Sequence, residues 1–515
     1  MASRARPINP GAAALALGVA GLTLGPTALL LTYGAAGLVP SDLAALRFTL
    51  LQAALSALVS GLLAIPLARA LARRQFVGRG AVLTLMGAPF LLPVVVAVIG
   101  LLSVYGRSGW VNGLLAALGL PVFTIYGLQG VVLAHVFLNL PLAVRMLLTG
   151  WQAIPAERFR LAETLGLPPA ATFRHLEFPM LREELPGIIV TIFLICLTSF
   201  AVALTLGGGP RATTLELAIY QAVRFDFDLG HAASLALLQF AICALGVVLA
   251  ARLARSAALG AGLGRPMQMR APGGWRKAAD AGLIALALAF LILPLAAIVL
   301  DGAPGLLHLP GQVWQAAGLS MGMALASALL STLAALTLAL AVAAKSWGAR
   351  FLQLAAMLPL AASGLVIGTG LFVVLRQFIA PEDAAIPVTI LINAAMALPF
   401  GFRLLLPQAQ RTEADYGRLA AALGLKGSAR LRWLDLPRLA RPLGLAMGLA
   451  AALAMGDLGV IALFAGESAT LPLVIQRLMG AYRMQQAAAA SVLLVALSFG
   501  LYALFDLWGR RHAAP

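Results

Sequence analysis

Two stretches of this sequence carry the same unusual pattern of leucine, glycine and proline. LAETLGLPPAATFRHLEFP runs from Leu161 to Pro179, and LAAALGLKGSARLRWLDLP runs from Leu419 to Pro437, 258 positions further along the chain. Each begins like a short amphipathic helix that should end at a glycine, Gly166 or Gly424, because glycine accepts the left-handed conformation that terminates helices. A helix of this kind is suited to binding in a groove of a partner protein.

A second short helix is expected after each glycine. In the first copy Pro168 and Pro169 prevent the first helix from continuing, and a segment from Phe173 to Phe178 leads into Pro179. One copy alone would suit an interfacial helix on lipid headgroups equally well. Two copies at equivalent places favour a partner that is itself twofold, which a lipid surface does not require.

One acidic residue, Asp457, lies in the middle of a long apolar stretch. A carboxylate inside a membrane is costly unless it is paired or wetted. Asp457 is therefore a candidate counter-ion for a cation on a transport pathway, or else a structural residue that is protonated or bridges two helices. Ser199 lies at the equivalent position 258 residues earlier, so the architecture does not require an acid there.

The sequence lacks the residue patterns of an enzyme. It contains no G-x-x-x-x-G-K-[ST] stretch, and Lys426 in LGLKGS lacks the glycine frame that holds phosphates. No cluster of metal ligands and no nucleophile–base arrangement is recognisable. Cys196 and Cys243 lie in apolar stretches and are expected to be small core residues. We therefore expect no enzymatic activity and no cofactor or metal held by this chain.

The composition predicts an all-α polytopic membrane protein. Of 515 residues, 61% are hydrophobic and 11% are charged, which is far too apolar for a soluble domain. Apolar stretches of about 20 residues recur, and each is long enough to cross a bilayer as a helix. We predict twelve spans, at 11–33, 46–70, 80–105, 125–150, 186–206, 230–254, 278–300, 317–343, 351–375, 387–407, 443–465 and 486–508.

The basic residues predict the orientation. With the N-terminus in the cytoplasm, 29 of the 36 Lys and Arg residues lie on cytoplasmic segments and 7 on the opposite side. That asymmetry follows the positive-inside rule and predicts that both termini are cytoplasmic. The net charge of +17 is therefore assigned to topology and not to nucleic-acid binding. The first apolar run is too long for a signal peptide and is expected to be retained.

The chain is predicted to be one six-span unit used twice. Residues 1–255 form the first half, residues 256–277 a basic, Gly/Pro-rich cytoplasmic linker, and residues 278–515 the second half. The repeated stretches lie in cytoplasmic loops at 158–187 and 411–445. An even number of spans separates the copies, so the halves are related in parallel. Other matching pairs are Pro141 with Pro399 and Arg145 with Arg403.

The repeated stretches resemble the EAA loop of ATP-binding-cassette importer permeases, in which this loop forms the coupling helix that binds in a cleft of the nucleotide-binding subunit. The resemblance implies a cytoplasmic ATPase dimer, which would bind the ATP, and a periplasmic substrate-binding protein as partners. Both copies depart from the family pattern, because Arg160 and Arg418 stand where an acidic residue is usual. The implied coupling residues are Arg160, Leu161, Ala162, Leu165, Gly166, Phe173, Pro179, Arg418, Leu419, Ala420, Leu423, Gly424, Leu431 and Pro437.

A narrower resemblance indicates the substrate. The stretches Ser199–Gln239 and Met455–Phe464 are similar to the membrane subunit of bacterial thiamine importers. That resemblance implies an inner-membrane permease for thiamine or its phosphates, with Asp457 and Ser199 as candidate pathway residues. The alternatives are a ferric-iron permease of the same class and, from another class, an ion-coupled secondary transporter.

The outer loops at 207–229 and 466–485 resemble each other and would form a paired docking surface for the binding protein. Six acidic residues are predicted to face outward, where a cationic substrate would arrive. They are Glu216, Asp226, Asp228, Glu382, Asp383 and Glu467.

Overall fold

The computed structural model describes residues 9–33, 37, 39–209, 212–253, 273–344, 348–464, 466 and 469–512. These residues form helices and connecting turns, with no β-strand among them. The described residues do not include most of the predicted linker. They also do not include Glu467, one of the predicted outer acidic residues.

The first half of the chain contains thirteen of the described α-helices. They are α1 (Pro10–Tyr33), α2 (Pro40–Arg73), α3 (Arg79–Leu85), α4 (Ala88–Leu91), α5 (Val94–Tyr105), α6 (Trp110–Ala117), α7 (Leu128–Ala153), α8 (Ala156–Thr164), α9 (Pro169–Thr172), α10 (Phe178–Leu197), α11 (Phe200–Leu206), α12 (Leu215–Arg224) and α13 (Leu229–Leu253).

The second half repeats this order with fewer interruptions. Its described helices are α14 (Trp275–Gly302), α15 (Gly311–Ala343), α16 (Ala349–Met357), α17 (Gly364–Leu375), α18 (Pro381–Ala422), α19 (Gly427–Arg430), α20 (Leu436–Met455), α21 (Gly459–Phe464), α22 (Leu471–Gly480) and α23 (Met484–His512).

The described helices confirm the polytopic all-α fold. Ten are long and apolar enough to cross a membrane, and two bent helix pairs bring the number to twelve if each pair is one span. Several elements of the two halves correspond in order. The helix α1 matches α14, α2 matches α15, and the short α12 before the last span matches α22.

Four of the predicted spans are broken, which the hydropathy pattern did not predict. The chain bends by 62° between Leu197 and Phe200 and by 89° between Ala361 and Gly364. The third span is divided into α3, α4 and α5, and the eleventh is interrupted between Met455 and Gly459. Asp457 therefore lies at a helix break, and its predicted place within a continuous helix was wrong.

The halves differ at the fourth span. In the first half α7 ends at Ala153, and α8 begins after Pro155. Proline has no backbone N–H and clashes with the preceding turn, which favours a helix break at this position. In the second half Glu413 stands at the equivalent position, and α18 continues unbroken to Ala422.

The first helix of each half packs on the other half. The helix α1 packs against α16 and α17, and α14 packs against α5 and α2. Two glycines permit these crossings. A Cβ atom added at Gly100 would lie 2.6 Å from the carbonyl oxygen of Pro294, and one added at Gly370 would lie 2.6 Å from that of Pro26. The two halves are therefore interlocked by equivalent glycine–proline contacts.

We predict that Gly100→Ala and Gly370→Ala each destabilise the protein, because the added methyl group has no room against a proline backbone. Overpacking of this kind costs about 1–3 kcal/mol, measured as a lower unfolding midpoint of the purified protein in detergent. Gly18→Ala is the matched control, since a Cβ atom there meets nothing within 4 Å. Equal midpoints for all three variants would contradict the close crossings.

Candidate coupling segments and central cavity

We define the first loop segment as residues 156–179 and the second as residues 414–437. In each, the first helix ends in the same hydrogen-bonded turn. The N–H of Leu167 donates to the carbonyl of Ala162 at 2.9 Å, and the N–H of Leu425 donates to that of Ala420 at 2.9 Å. The intervening Gly166 and Gly424 have φ values of +62° and +68°. This is a Schellman turn, which favours glycine at that position.

Each loop segment presents a pair of leucines to the surroundings. Leu161 and Leu165 are 59% and 64% exposed, and Leu419 and Leu423 are 55% and 66% exposed. The two leucines of a pair are one helical turn apart, so they lie on one face. Ala162 and Ala420 are buried on the side that packs against the bundle, whereas Arg160 and Arg418 are exposed. Each segment therefore offers an apolar face bordered by a positive charge.

The second short helix does not end at the proline as predicted. Phe173–Glu177 and Leu431–Asp435 are π-helical turns that pass directly into α10 and α20. Pro179 and Pro437 occupy the first turn of these helices, where the missing N–H has no intrahelical partner to lose. Each loop segment is therefore rigidly continuous with a membrane-spanning helix.

A buried carboxylate anchors the first loop segment. Glu177 is 1% exposed, and its two oxygens accept hydrogen bonds from Arg69 of α2 at 2.6 and 3.0 Å. Trp151 Nε1 also donates to Glu177 at 3.3 Å. The Arg69 guanidinium lies 4.9 Å from the centre of the Phe173 ring. This paired arrangement fixes the π-helical turn against α2, because a bidentate contact with a carboxylate is strongly directional.

The second loop segment uses a carboxylate at the equivalent position with a different arginine. Asp435 is 5% exposed and is paired with Arg430 of its own segment at 3.3 Å. Arg430 also pairs with Glu413 near the end of α18. The anchor therefore holds the turn to α18 and not to α15.

We predict that Arg69→Gln loosens the first loop segment alone. The change leaves Glu177 without its cationic partner, which costs about 1–3 kcal/mol for a buried group. Hydrogen exchange of residues 169–178 should become about tenfold faster, while residues 427–436 serve as an internal reference. Arg174→Gln is the matched control, because Arg174 is exposed. Unchanged exchange in the Arg69 variant would contradict the anchoring role.

A cavity of about 370 Å³ lies where the broken helices meet. Residues at three of the breaks line it, including Pro93, Gly364 and Gly456. Among its described lining residues the polar side chains are Asn139, Asn393 and Asp457, and the remainder are apolar. Asp457 is the ionisable residue of this set, so the cavity wall carries one carboxyl group and two amides among otherwise apolar side chains.

Asp457 also caps the helix that follows the break. Its carboxylate interacts with the backbone N–H groups of Val460 and Ile461 and with the side chain of Asn393. Its Oδ2 atom is buried and has no hydrogen-bond partner among the described residues. Asp457 as a residue is half-buried and is among the residues that line the cavity. One carboxylate thus satisfies the start of α21 and keeps one oxygen without a partner among the described residues.

Relatives that match nearly the whole chain identify the family. The thiamine transport system permease protein of Salmonella typhimurium is 41% identical over 488 residues, covering 91% of this chain and 89% of the relative. The protein of the same name from Escherichia coli is 42% identical over 480 residues, covering 89% and 88%. The Haemophilus influenzae protein is 35% identical over 472 residues, covering 90% and 88%. The chain belongs to the family of thiamine transport system permeases. No family model matches it.

In this permease the two candidate pathway residues have different surroundings. Asp457 lines the cavity, whereas Ser199, at the break between α10 and α11, is not among the described lining residues. Asn139 and Asn393 were not predicted to lie on the transport pathway. In the sequence, each is recognisable as an amide side chain within an apolar span. Such a residue is also typical of hydrogen bonding between helices, so the pattern does not indicate a cavity.

Glu216 of the permease is buried, so its predicted outward position was wrong. It is 1% exposed, accepts a hydrogen bond from Gln239 Nε2 at 3.3 Å and is hydrogen-bonded to Ser363 of the second half. The reason is that α12 packs into the bundle, where the N–H of Leu215 donates to Thr49 Oγ1 at 2.9 Å. The other described acids of the predicted outer set are exposed, namely Asp226, Asp228, Glu382 and Asp383.

Proposed function

We propose that this permease is the transmembrane subunit of an ATP-driven importer in the bacterial inner membrane, and that its cargo is thiamine or a thiamine phosphate. The near full-length likeness to permeases named for thiamine transport supports the substrate. The single carboxylate in the wall of the central cavity supports a cationic cargo.

In this proposal the cavity is a point on the pathway. Thiamine carries a permanent positive charge and aromatic rings, which suit a small apolar chamber with one acid and two amides. Asp457 would act as its counter-ion, and a charge inside the membrane is tolerated best when it lines such a cavity. Ferric iron would need several oxygen ligands, and the described cavity wall offers one carboxylate and two amide oxygens.

The energy would come from a separate ATPase dimer on the cytoplasmic side. The exposed leucine pairs of the two loop segments are the surfaces on which its two subunits would bind. Because Arg160 and Arg418 replace the acidic residue usual in such loops, the charged contact with the ATPase would have the opposite sign. In this arrangement both termini are cytoplasmic.

A periplasmic binding protein would deliver the cargo at the opposite end of the bundle. The helices α12 and α22 occupy equivalent places there, and each is tied to the second span of its half. The N–H of Leu471 donates to Ser320 Oγ at 2.8 Å, which matches the contact between Leu215 and Thr49 in the first half. These helices would therefore transmit docking to both halves in the same way.

We predict that Gly166→Val and Gly424→Val uncouple ATP hydrolysis from thiamine uptake in proteoliposomes. The φ values of +62° and +68° cost about 1–2 kcal/mol for residues with a Cβ atom, so the leucine face should tilt away from the ATPase. Asparagine tolerates this conformation, so Gly166→Asn and Gly424→Asn should keep most of the uptake. Normal uptake by both valine variants would refute the docking role.

We predict that Asp457→Asn lowers thiamine uptake about tenfold, the effect expected for losing a charge-assisted contact. Asparagine is as good a helix N-cap as aspartate, so this change removes the charge and keeps the start of α21. Asp457→Glu should retain more activity than Asp457→Asn. The control is Asp226→Asn at an exposed acid. If the Asp457→Asn variant took up thiamine as fast as the control variant, Asp457 would have a purely structural role.

A further inference from the structure

A basic cleft of about 360 Å³ lies beside the first loop segment, outside the central cavity. Three elements form it. The end of α2 contributes Arg69 and Arg73, the start of α14 contributes Trp275 and Arg276, and the loop segment contributes Phe173. The cleft thus joins the second span, the first span of the other half and a candidate coupling element.

The cleft has more positive than negative charge. Arg69 is paired with Glu177, while Arg73 and Arg74 share a single carboxylate, Asp280. The described lining of the cleft itself contains three arginines, Arg69, Arg73 and Arg276, and no carboxylate. Arg69 and Arg73 are only 25% and 14% exposed, which means that their guanidinium groups are held in place and do not sample solvent freely.

The aromatic residues favour a ligand at the membrane surface. Trp275 is 76% exposed at the start of α14, and the Arg276 guanidinium lies 5.8 Å from the centre of its ring. Exposed tryptophan at a helix end is typical of the headgroup region. Basic clefts between transmembrane helices bind lipid phosphates, and arginine contacts phosphate oxygens with two parallel hydrogen bonds.

The described part of the matching helix in the second half does not carry the arginines of this cleft. The helix α15, which matches α2, contains no lysine or arginine. The acid of the second loop segment is held by Arg430 from that segment itself. Among the described residues, the arginines that α2 contributes to the cleft therefore have no counterpart in α15.

We propose that this cleft binds the phosphate group of an anionic ligand, supplied either by a membrane phospholipid headgroup or by a soluble diphosphate. The phosphate contacts Arg276 and the exposed edges of Arg69 and Arg73, and it bridges α14 to the first loop segment. Its presence restrains that loop segment and not the second. The consequence for ATP coupling rests on the proposed function, whereas binding itself does not.

The test is native mass spectrometry of the purified full chain with phosphatidylglycerol, with phosphatidylcholine as the neutral comparison. Arg276→Gln should weaken phosphatidylglycerol binding about fivefold, as expected for one basic residue at a membrane surface. Lys277→Gln is the matched control. It removes the same charge from the next position, and Lys277 is not among the described lining residues. Equal retention of phosphatidylglycerol by wild type and both variants would overturn a lipid ligand.

The second arm measures inorganic pyrophosphate binding by calorimetry in phosphatidylcholine nanodiscs. Binding that depends on Arg276 but not on Lys277 would assign the cleft to a soluble diphosphate. The proposal would be overturned if neither phosphatidylglycerol nor pyrophosphate bound in an Arg276-dependent manner. Both arms are independent of the ATPase, so a failure here is distinguishable from a failure of the proposed transport function.

Discussion

The structure depends on one constraint, which is that backbone polar groups inside a membrane must find partners within the protein. Breaks in spanning helices free such groups, and here they are satisfied by side chains. Ser363 Oγ accepts from the N–H of Val366 at 3.0 Å, and Gln239 Nε2 donates to the carbonyl of Leu197 at 2.9 Å. Asp457 accepts at the start of α21. Irregular backbone is tolerated where it is enclosed by protein, and here residues at three of the four breaks line the central cavity.

The same helices connect the loop segments to that cavity. The helix α20 begins directly after the second π-helical turn and ends at Met455, two residues before Asp457. The helix α10 follows the first turn in the same way and ends at Leu197, near the break at Ser199. In the proposed mechanism, a displacement of a loop segment would be carried along this helix to the cavity wall. The glycine–proline crossings of α1 and α14 keep the two halves in register while this occurs.

The sequence predicted much of this architecture because hydropathy and repetition report directly on spans. It also located the glycine turns, since Gly166 and Gly424 lie at the ends of amphipathic patterns. It did not predict the helix breaks. The span that contains Gly456 and Asp457 is still apolar on average over its length, so its hydropathy does not reveal the interruption. The burial of Glu216 was also missed, because a short helix between two spans resembles a surface loop until its packing is known. The crossing of α1 onto the second half depends on tertiary contacts that no local pattern encodes.

The most direct test of the account is ATP hydrolysis by this permease in liposomes with its ATPase and a periplasmic binding protein. The binding protein would be supplied with thiamine or, for comparison, with ferric iron. We expect hydrolysis to rise with thiamine-loaded binding protein and to stay basal with iron. If only the iron-loaded binding protein stimulated ATP hydrolysis, the assignment of an organic cation as the cargo would be contradicted. No stimulation by either, from a complex that assembles, would contradict coupling between binding-protein docking and the loop segments.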